Sequence, residues 1–399
     1  MIFGAGLAVS SAQQQYCADQ ERLTEVEYFT EDAIEFIGDV AYGRAEDWEG
    51  RIQELAYDIF APDPGVDPLA VRPAVVLMHG GSFRNGNRAN WHNACREFAK
   101  RGFVAITLSY RVGWSGSVVS QLKASYRANQ DVRAALRHIV HHAAQYGVDT
   151  NWIFLGGSSA GAINALNTVY VDQAEWNSVL PGLERELGGL NTSTNELTDL
   201  YDIKGVFNNW GSTLSQYMQP EEMRPMVSFH GELDTTVPIE NGLGGMIGSR
   251  LLHERLLDNG ICSELTVKPD AEHGFFRDAA GEAFRVARAS CFFRSLLCDS
   301  CTDFYTTEPV AAHCVDVVAT EEVEMEQFKF RVHPNPYTHE FRIQGGSADA
   351  SFELVSLDGK LLHRGHVDES QALYALPVGI YLLRIHSDGQ CQVLKLVKQ

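Results

Sequence analysis

The sequence predicts an α/β fold, a mostly parallel sheet flanked by helices, followed by a small all-β, sandwich-like module at the C-terminal end. Three observations carry this expectation. A short, wholly apolar run at 74–78 (Ala-Val-Val-Leu-Met) and a strand at 103–108 (Phe-Val-Ala-Ile-Thr-Leu) alternate with helical patterns at 90–101 and 122–146. Runs that are apolar on both faces suit the middle of a parallel sheet covered by helices, and strand, helix, strand, helix at this pace means right-handed crossovers. From His333 onward no helical pattern remains, and short strands alternate with turns at Asp358-Gly359 and Asp388-Gly389.

Size and charge agree with a two-part chain. Single cores rarely grow beyond about 250–300 residues, so 399 residues hold one large domain and a companion. The formal charge of −20, from 32 basic and 52 acidic residues, argues against nucleic acid as a partner. No apolar run approaches the about 20 residues that a membrane-spanning helix needs.

Taken in order, residues 1–12 are apolar, then small, and resemble the back half of a secretory signal, with a frayed terminus as the alternative. Residues 19–50 are acidic and mixed, with Tyr42-Gly43 as a turn, and 52–60 alternates as an early, partly exposed strand. Strand 74–78 stops at His79-Gly80-Gly81-Ser82-Phe83, and strand 103–108 stops at Ser109-Tyr110-Arg111. Residues 152–155 lead into Gly157-Ser158-Ser159-Ala160-Gly161 and a further helix. The stretch 172–202 is rich in turn residues and reads as a cap or substrate loop, or as plain surface. Strands 203–208, 226–229 and 264–268 follow, the last of these closing the sheet, with helices at 243–259 and 280–297. This places a catalytic domain at 13–301, a linker with an acidic run at 302–332, and the β module at 333–399.

Eight cysteines are present. Cys298 and Cys301 have C-x-x-C spacing, but Cys291 and Cys314 complete a zinc set only loosely. Disulfides, free thiols and a metal site all stay open on spacing alone; a Cys17–Cys95 bridge is one further option.

The chemistry centres on Ser159. A tight Gly-flanked turn between strand and helix lifts a serine hydroxyl clear of the sheet. That hydroxyl is a weak nucleophile and needs a base oriented by a carboxylate. Asp234, in His230-Gly231-Glu232-Leu233-Asp234, and His273, in Glu272-His273-Gly274-Phe275, each follow a predicted strand. Position favours Asp234 over the nearby Glu232 and Asp270. Developing oxyanion charge calls for donors already in place, which the backbone N–H groups of Gly80, Gly81 and Ala160 would supply. Ser82, Phe83, Trp114, Trp176 and Trp210 are pocket candidates, with core packing as the alternative for each tryptophan.

Residues 50–295 resemble the α/β-hydrolase superfamily on its carboxylesterase and lipase side. The likeness rests on His79-Gly80-Gly81, Gly157-Ser158-Ser159-Ala160-Gly161, Gly231-x-x-Asp234-x-x-Val237-Pro238 and His273-Gly274-Phe275. Secreted feruloyl esterases and polyhydroxybutyrate depolymerases are the nearest in look. Residues 333–399 resemble the C-terminal sorting domain of the type IX secretion system of Bacteroidota, through His333-Pro334-Asn335-Pro336-Tyr337, Leu357-Asp358-Gly359-Lys360 and Leu376-Pro377-Val378-Gly379-Ile380-Tyr381. The family usually opens with tyrosine where His333 stands. The two resemblances imply a secreted or surface-attached serine ester hydrolase without metal or organic cofactor, delivered by the type IX machinery. They also favour a signal peptide and disulfides over zinc. A serine peptidase of the same fold and a non-catalytic surface binding protein are the rival readings.

Overall fold

The structure is a computed structural model that describes residues 11–275, 278–312, 314, 330–333, 341–344, 350–356, 360–367, 376–387 and 390–398. It divides into a unit spanning 1–316 and a second spanning 317–399.

The first unit is built on eleven strands. They are β1 (Ile34–Glu46), β2 (Ile52–Pro62), β3 (Arg72–Met78), β4 (Val104–Leu108), β5 (Val148–Ser158), β6 (Ile203–Asn209), β7 (Ser212–Leu214), β8 (Met226–Gly231), β9 (Met246–Gly248), β10 (Ser263–Lys268) and β11 (Phe304–Thr306). Nine of them form one sheet in the order β1-β2-β4-β3-β5-β6-β8-β10-β11, while β7 and β9 pair separately. β1, β2 and β4 pair antiparallel in sequence, and every pairing from β4 through β3 to β11 is parallel.

Alternation along the strands feeds two cores. Ala74, Val76 and Met78 join Ile106, Leu108 and Leu155 on one face, against helices Val118–His141, Ala160–Tyr170 and Ser249–Asp258. Val75 and Leu77 join Phe154, Phe207 and Phe229 on the other, against helices His92–Lys100 and Ala279–Leu297. Both faces are covered, so β3 and β4 are buried at every position, as their unbroken apolar runs require. Each large apolar side chain so buried contributes about 1.5–3 kcal/mol.

Four expectations change here. Residues 34–46 form the long edge strand β1, and Tyr42-Gly43 lies inside it rather than at a turn; the strand is half-exposed on both faces, which leaves no clear period to read. The strand at 263–268 does not close the sheet, because Phe304–Thr306, expected in the linker, pairs with it as β11. Cys17 bonds Cys298, not Cys95, which is a buried free thiol; Cys262–Cys301 and Cys291–Cys314 are bridged as well. The helix expected at 243–259 starts only at Ser249, because Met246–Gly248 pairs with β7 as β9. The stretch 172–202, open between cap and surface, contains helices Gln173–Val179 and Leu183–Leu187. Most of the proposed signal, the acidic run at 321–326 and the motifs at 334–337 and 357–359 lie outside the described residues.

Among its described residues, the second unit is all-β. Strands β12 (Arg331–His333) and β13 (Arg342–Gln344) pair with each other. Strands β14 (Ser351–Ser356), β15 (Leu361–His366), β16 (Gly379–Ser387) and β17 (Gln390–Lys398) form an antiparallel sheet in the order β15-β14-β16-β17. Phe352, Leu354, Leu383, Ile385 and Leu396 alternate into its core with Phe330 and Phe341.

Candidate active site

β5 turns at Ser159 into helix Ala160–Tyr170. Ser159 has φ 52° and ψ −121°, a backbone state that costs on the order of 1–3 kcal/mol and persists only where its surroundings impose it. Its N–H donates to the Asn209 carbonyl, and its own carbonyl accepts the N–H of Ile163, each at 2.9 Å. Gly161 lets the end of β3 approach: a Cβ there would lie 2.2 Å from the Met78 carbonyl oxygen. That approach brings His79-Gly80-Gly81 beside the turn. A Cβ on Gly80 would sit 3.4 Å from the Ser159 Cβ and 3.0 Å from the Ser158 carbonyl oxygen. The amide of Ala160 opens its helix, where N–H groups have no intrahelical acceptor.

His79 is buried, with its ring stacked 4.2 Å from that of Tyr110. Its Nδ1–H donates to the Gly80 carbonyl at 2.8 Å, and the Tyr110 hydroxyl donates to the His79 carbonyl at 2.6 Å. Burial pushes its pKa down against a smaller upward pull from the Gly80 carbonyl, so it fastens the loop as a neutral ring. Gly81, Ser82 and Phe83 follow at φ 111°, 55° and 56°. The loop after β4 holds them there: the Gly113 N–H donates to the Phe83 carbonyl at 2.7 Å and the Trp114 indole N–H to the Ser82 carbonyl at 2.9 Å.

Asp234 and His273 reach Ser159 from the ends of β8 and β10. His273 Nε2 lies 2.9 Å from Ser159 Oγ, and His273 Nδ1 lies 2.7 Å from Asp234 Oδ2. The other carboxylate oxygen accepts the amides of Thr236 at 2.8 Å and Val237 at 2.9 Å. Burial alone would raise the pKa of Asp234. Hydrogen bonds from His230, His273 and the Val237 amide, with the charge on His273, outweigh burial and hold the carboxyl well below the usual range. Glu232 points elsewhere, to Arg250, and Asp270 pairs with Lys268.

Ser159 opens onto a cavity of about 400 Å³. Phe83, Leu122, Ile163, Trp176, Val179, Leu214 and Met246 make its apolar wall; Gln121, Ser125 and Asn167 are polar, and no charged side chain lines it among the described residues. Ser82 and Phe83 stand in the lining; Trp114 and Trp210 do not. Trp114 instead clamps the Ser82 carbonyl beneath the Arg84 guanidinium, and Trp210 is buried in the core under Arg285. The segment 172–202 supplies Trp176 and Val179 as a fixed wall. Buried Gln130 donates to the carbonyls of Leu187 and Gly188 at 3.0 Å, and the indole N–H of Trp176 donates to Asn129 at 3.2 Å. Sequence reasoning passed over His230, whose one signal was its place at a strand end four residues before Asp234.

Comparison with known proteins follows this division of the chain. Residues 57–220 match the family model described as BD-FAE, and residues 331–399 match the one described as a secretion system C-terminal sorting domain. Fumonisin B1 esterase of Sphingopyxis macrogoltabida is 27% identical over 134 residues, covering 30% of this chain and 25% of that protein. A probable isoprenylcysteine alpha-carbonyl methylesterase of Arabidopsis thaliana is 23% identical over 209 residues, covering 45% and 42%. The chain thus spans a quarter to two fifths of the length of these curated relatives. Among solved structures, the butyrate-bound esterase 2 of Thermogutta terrifontis aligns with a TM-score of 0.46 at 25% identity, over 67% of this chain and 93% of that one. The chain joins an α/β-hydrolase-superfamily domain to a C-terminal sorting domain of the type IX secretion system.

Proposed function

We propose that this protein is an exported serine hydrolase that cleaves neutral carboxylic esters through an acyl-enzyme. The observation that carries the reading is the unbroken hydrogen-bonded chain from Ser159 through His273 to Asp234, opening onto a cavity that no charged side chain lines among the described residues. Ser159 Oγ attacks the ester carbonyl while His273 Nε2 takes its proton, and Asp234 stabilises the imidazolium through Nδ1–H. The amides of Gly80, Gly81 and Ala160 receive the charge that develops on the carbonyl oxygen. Collapse of the tetrahedral intermediate expels the alcohol, which receives the proton from His273. The same histidine then activates water to release the acid. The apolar wall favours neutral acyl groups over diacid half-esters. Both curated relatives named above carry ester hydrolysis in their names, in support of the same reaction.

The sorting domain directs the enzyme outside the cell or onto its surface through the type IX machinery. The three disulfides suit that oxidising destination.

Initial rates on p-nitrophenyl acetate, butyrate and octanoate and on methyl ferulate, with Ser159→Ala in parallel, test the reading. Hydrolysis by the wild type that is lost by at least about 10⁴-fold in the variant is expected. The same residual rate in both proteins on every ester would overturn it.

A further inference from the structure

We infer that His230 is a positioning residue for the catalytic carboxylate, held in one tautomer by Ser249 and Asn208 so that it grips Asp234 from behind. The inference rests on the serine-hydrolase reading above.

His230, Ser249 and Asn208 are each fully buried, and they come from three separate elements: the end of β8, the first turn of helix Ser249–Asp258 and β6. His230 Nε2 lies 2.8 Å from the Val237 carbonyl oxygen and 3.3 Å from Asp234 Oδ2. Both neighbours are acceptors only, so Nε2 carries a proton. On the other side of the ring, Nδ1 lies 2.7 Å from Ser249 Oγ. The Asn208 side-chain amide donates to that same Oγ at 3.0 Å, and the serine's own hydrogen can turn to Nδ1. In the Nε2–H tautomer the chain runs in one direction: Asn208 donates to Ser249, Ser249 to His230, and His230 to Asp234 and Val237.

This direction bears on both oxygens of the carboxylate. Asp234 Oδ2 accepts His273 from the reacting side and His230 from the buried side. Asp234 Oδ1 accepts the amides of Thr236 and Val237, in the turn that His230 pins through the Val237 carbonyl. Rotation of the carboxylate away from His273 would break bonds on both oxygens at once. Without His230, Oδ2 would be held only by His273, whose side chain is 20% exposed on another loop. A buried polar chain of this kind acts as a unit, so loss of one link is felt at its far end. His230 is fully buried and is not among the residues that line the cavity; its effect passes through Asp234.

The test compares His230→Leu, which removes the donor at similar volume, with His230→Gln, whose side-chain amide reaches the place of Nε2–H. Ser249→Ala, which frees the tautomer, is the milder probe. Each full-length variant is measured for kcat and KM on p-nitrophenyl butyrate, for the rate of covalent phosphorylation by paraoxon, and for melting temperature. The expected result for His230→Leu is a fall in kcat and in phosphorylation rate of at least about tenfold, below the about 10⁴-fold set by disabling the carboxylate itself, with KM within about threefold. His230→Gln is expected to recover most of that loss, and Ser249→Ala to lose less than His230→Leu. Retention of at least half of wild-type kcat by His230→Leu would overturn the inference. So would equal losses in the leucine and glutamine variants that track their melting temperatures, which would make the role purely structural. A wild type inert to both the ester and paraoxon would instead fail the hydrolase reading beneath it.

Discussion

The carboxyl and amino edges of the central sheet are held by different chemistry. At the carboxyl edge, where β3, β5, β8 and β10 end, every reacting group is placed by hydrogen bonds and close backbone approach. Ser159, Ser82 and Phe83 stay at positive φ there, and the Ala160 amide has no helical acceptor. At the amino edge, the ties are covalent and ionic. Cys17–Cys298 ties helix Ser11–Ala18 to the end of helix Ala279–Leu297, and Cys262–Cys301 binds the approach to β10. Tyr16 donates to the carbonyl of Val71, just before β3, and to Asp149 on β5, both at 3.1 Å. Asp67 is clamped between Arg22 and Arg72, with all three side chains at most 3% exposed. Burial alone would raise the Asp67 pKa, but the hydrogen bonds from the two guanidinium groups lower it. A reactive edge needs donors left unspent and a strained nucleophile, so its rigidity must come from elsewhere. The amino edge supplies that rigidity at a distance from the chemistry, and the two properties are separable by mutation.

The largest expected effect lies at the carboxyl edge. Asp234→Asn keeps the shape but presents an amide to His273 Nδ1, and kcat should fall by about 10⁴-fold. A fall below about tenfold would mean that the carboxylate does not orient His273. Gly80→Ala comes next. The added Cβ meets the Ser158 carbonyl oxygen at 3.0 Å and presses on Ser159. Displacing an oxyanion donor costs about 2.7–4 kcal/mol, or 10²–10³-fold in kcat; unchanged kcat on p-nitrophenyl butyrate would remove Gly80 from that role. The amino edge should answer in the opposite currency. Cys17→Ser with Cys298→Ser should cost about 2–5 kcal/mol of unfolding free energy in urea, with kcat at 25 °C within about twofold of wild type. If activity falls in step with stability, the two edges are not independent and the comparison fails.

Much of the candidate catalytic edge was legible because each of its residues stands a few positions past the end of a predicted strand. Ser159 follows 152–155, Asp234 follows 226–229, and His273 follows 264–268. In a parallel sheet, strand ends at one edge converge, so chain position predicts proximity. The parts that were not legible share a different cause. β1 is an antiparallel edge strand, half-exposed on both sides, so no period of two survives in it. β11 is three residues long. Trp114 and Trp210 have the composition of pocket residues, yet one serves a backbone carbonyl and the other a core.

Residue order alone determined the α/β class, the separate all-β tail, and the serine, carboxylate and histidine of the candidate triad, because strand periodicity and glycine-bounded turns are local properties of the chain. Tertiary structure alone decided which cysteine meets which across 281 residues, which tryptophan reaches the cavity, and that His230 stands behind Asp234. Those are distances between segments remote in sequence, and they exist only once packing brings the segments together.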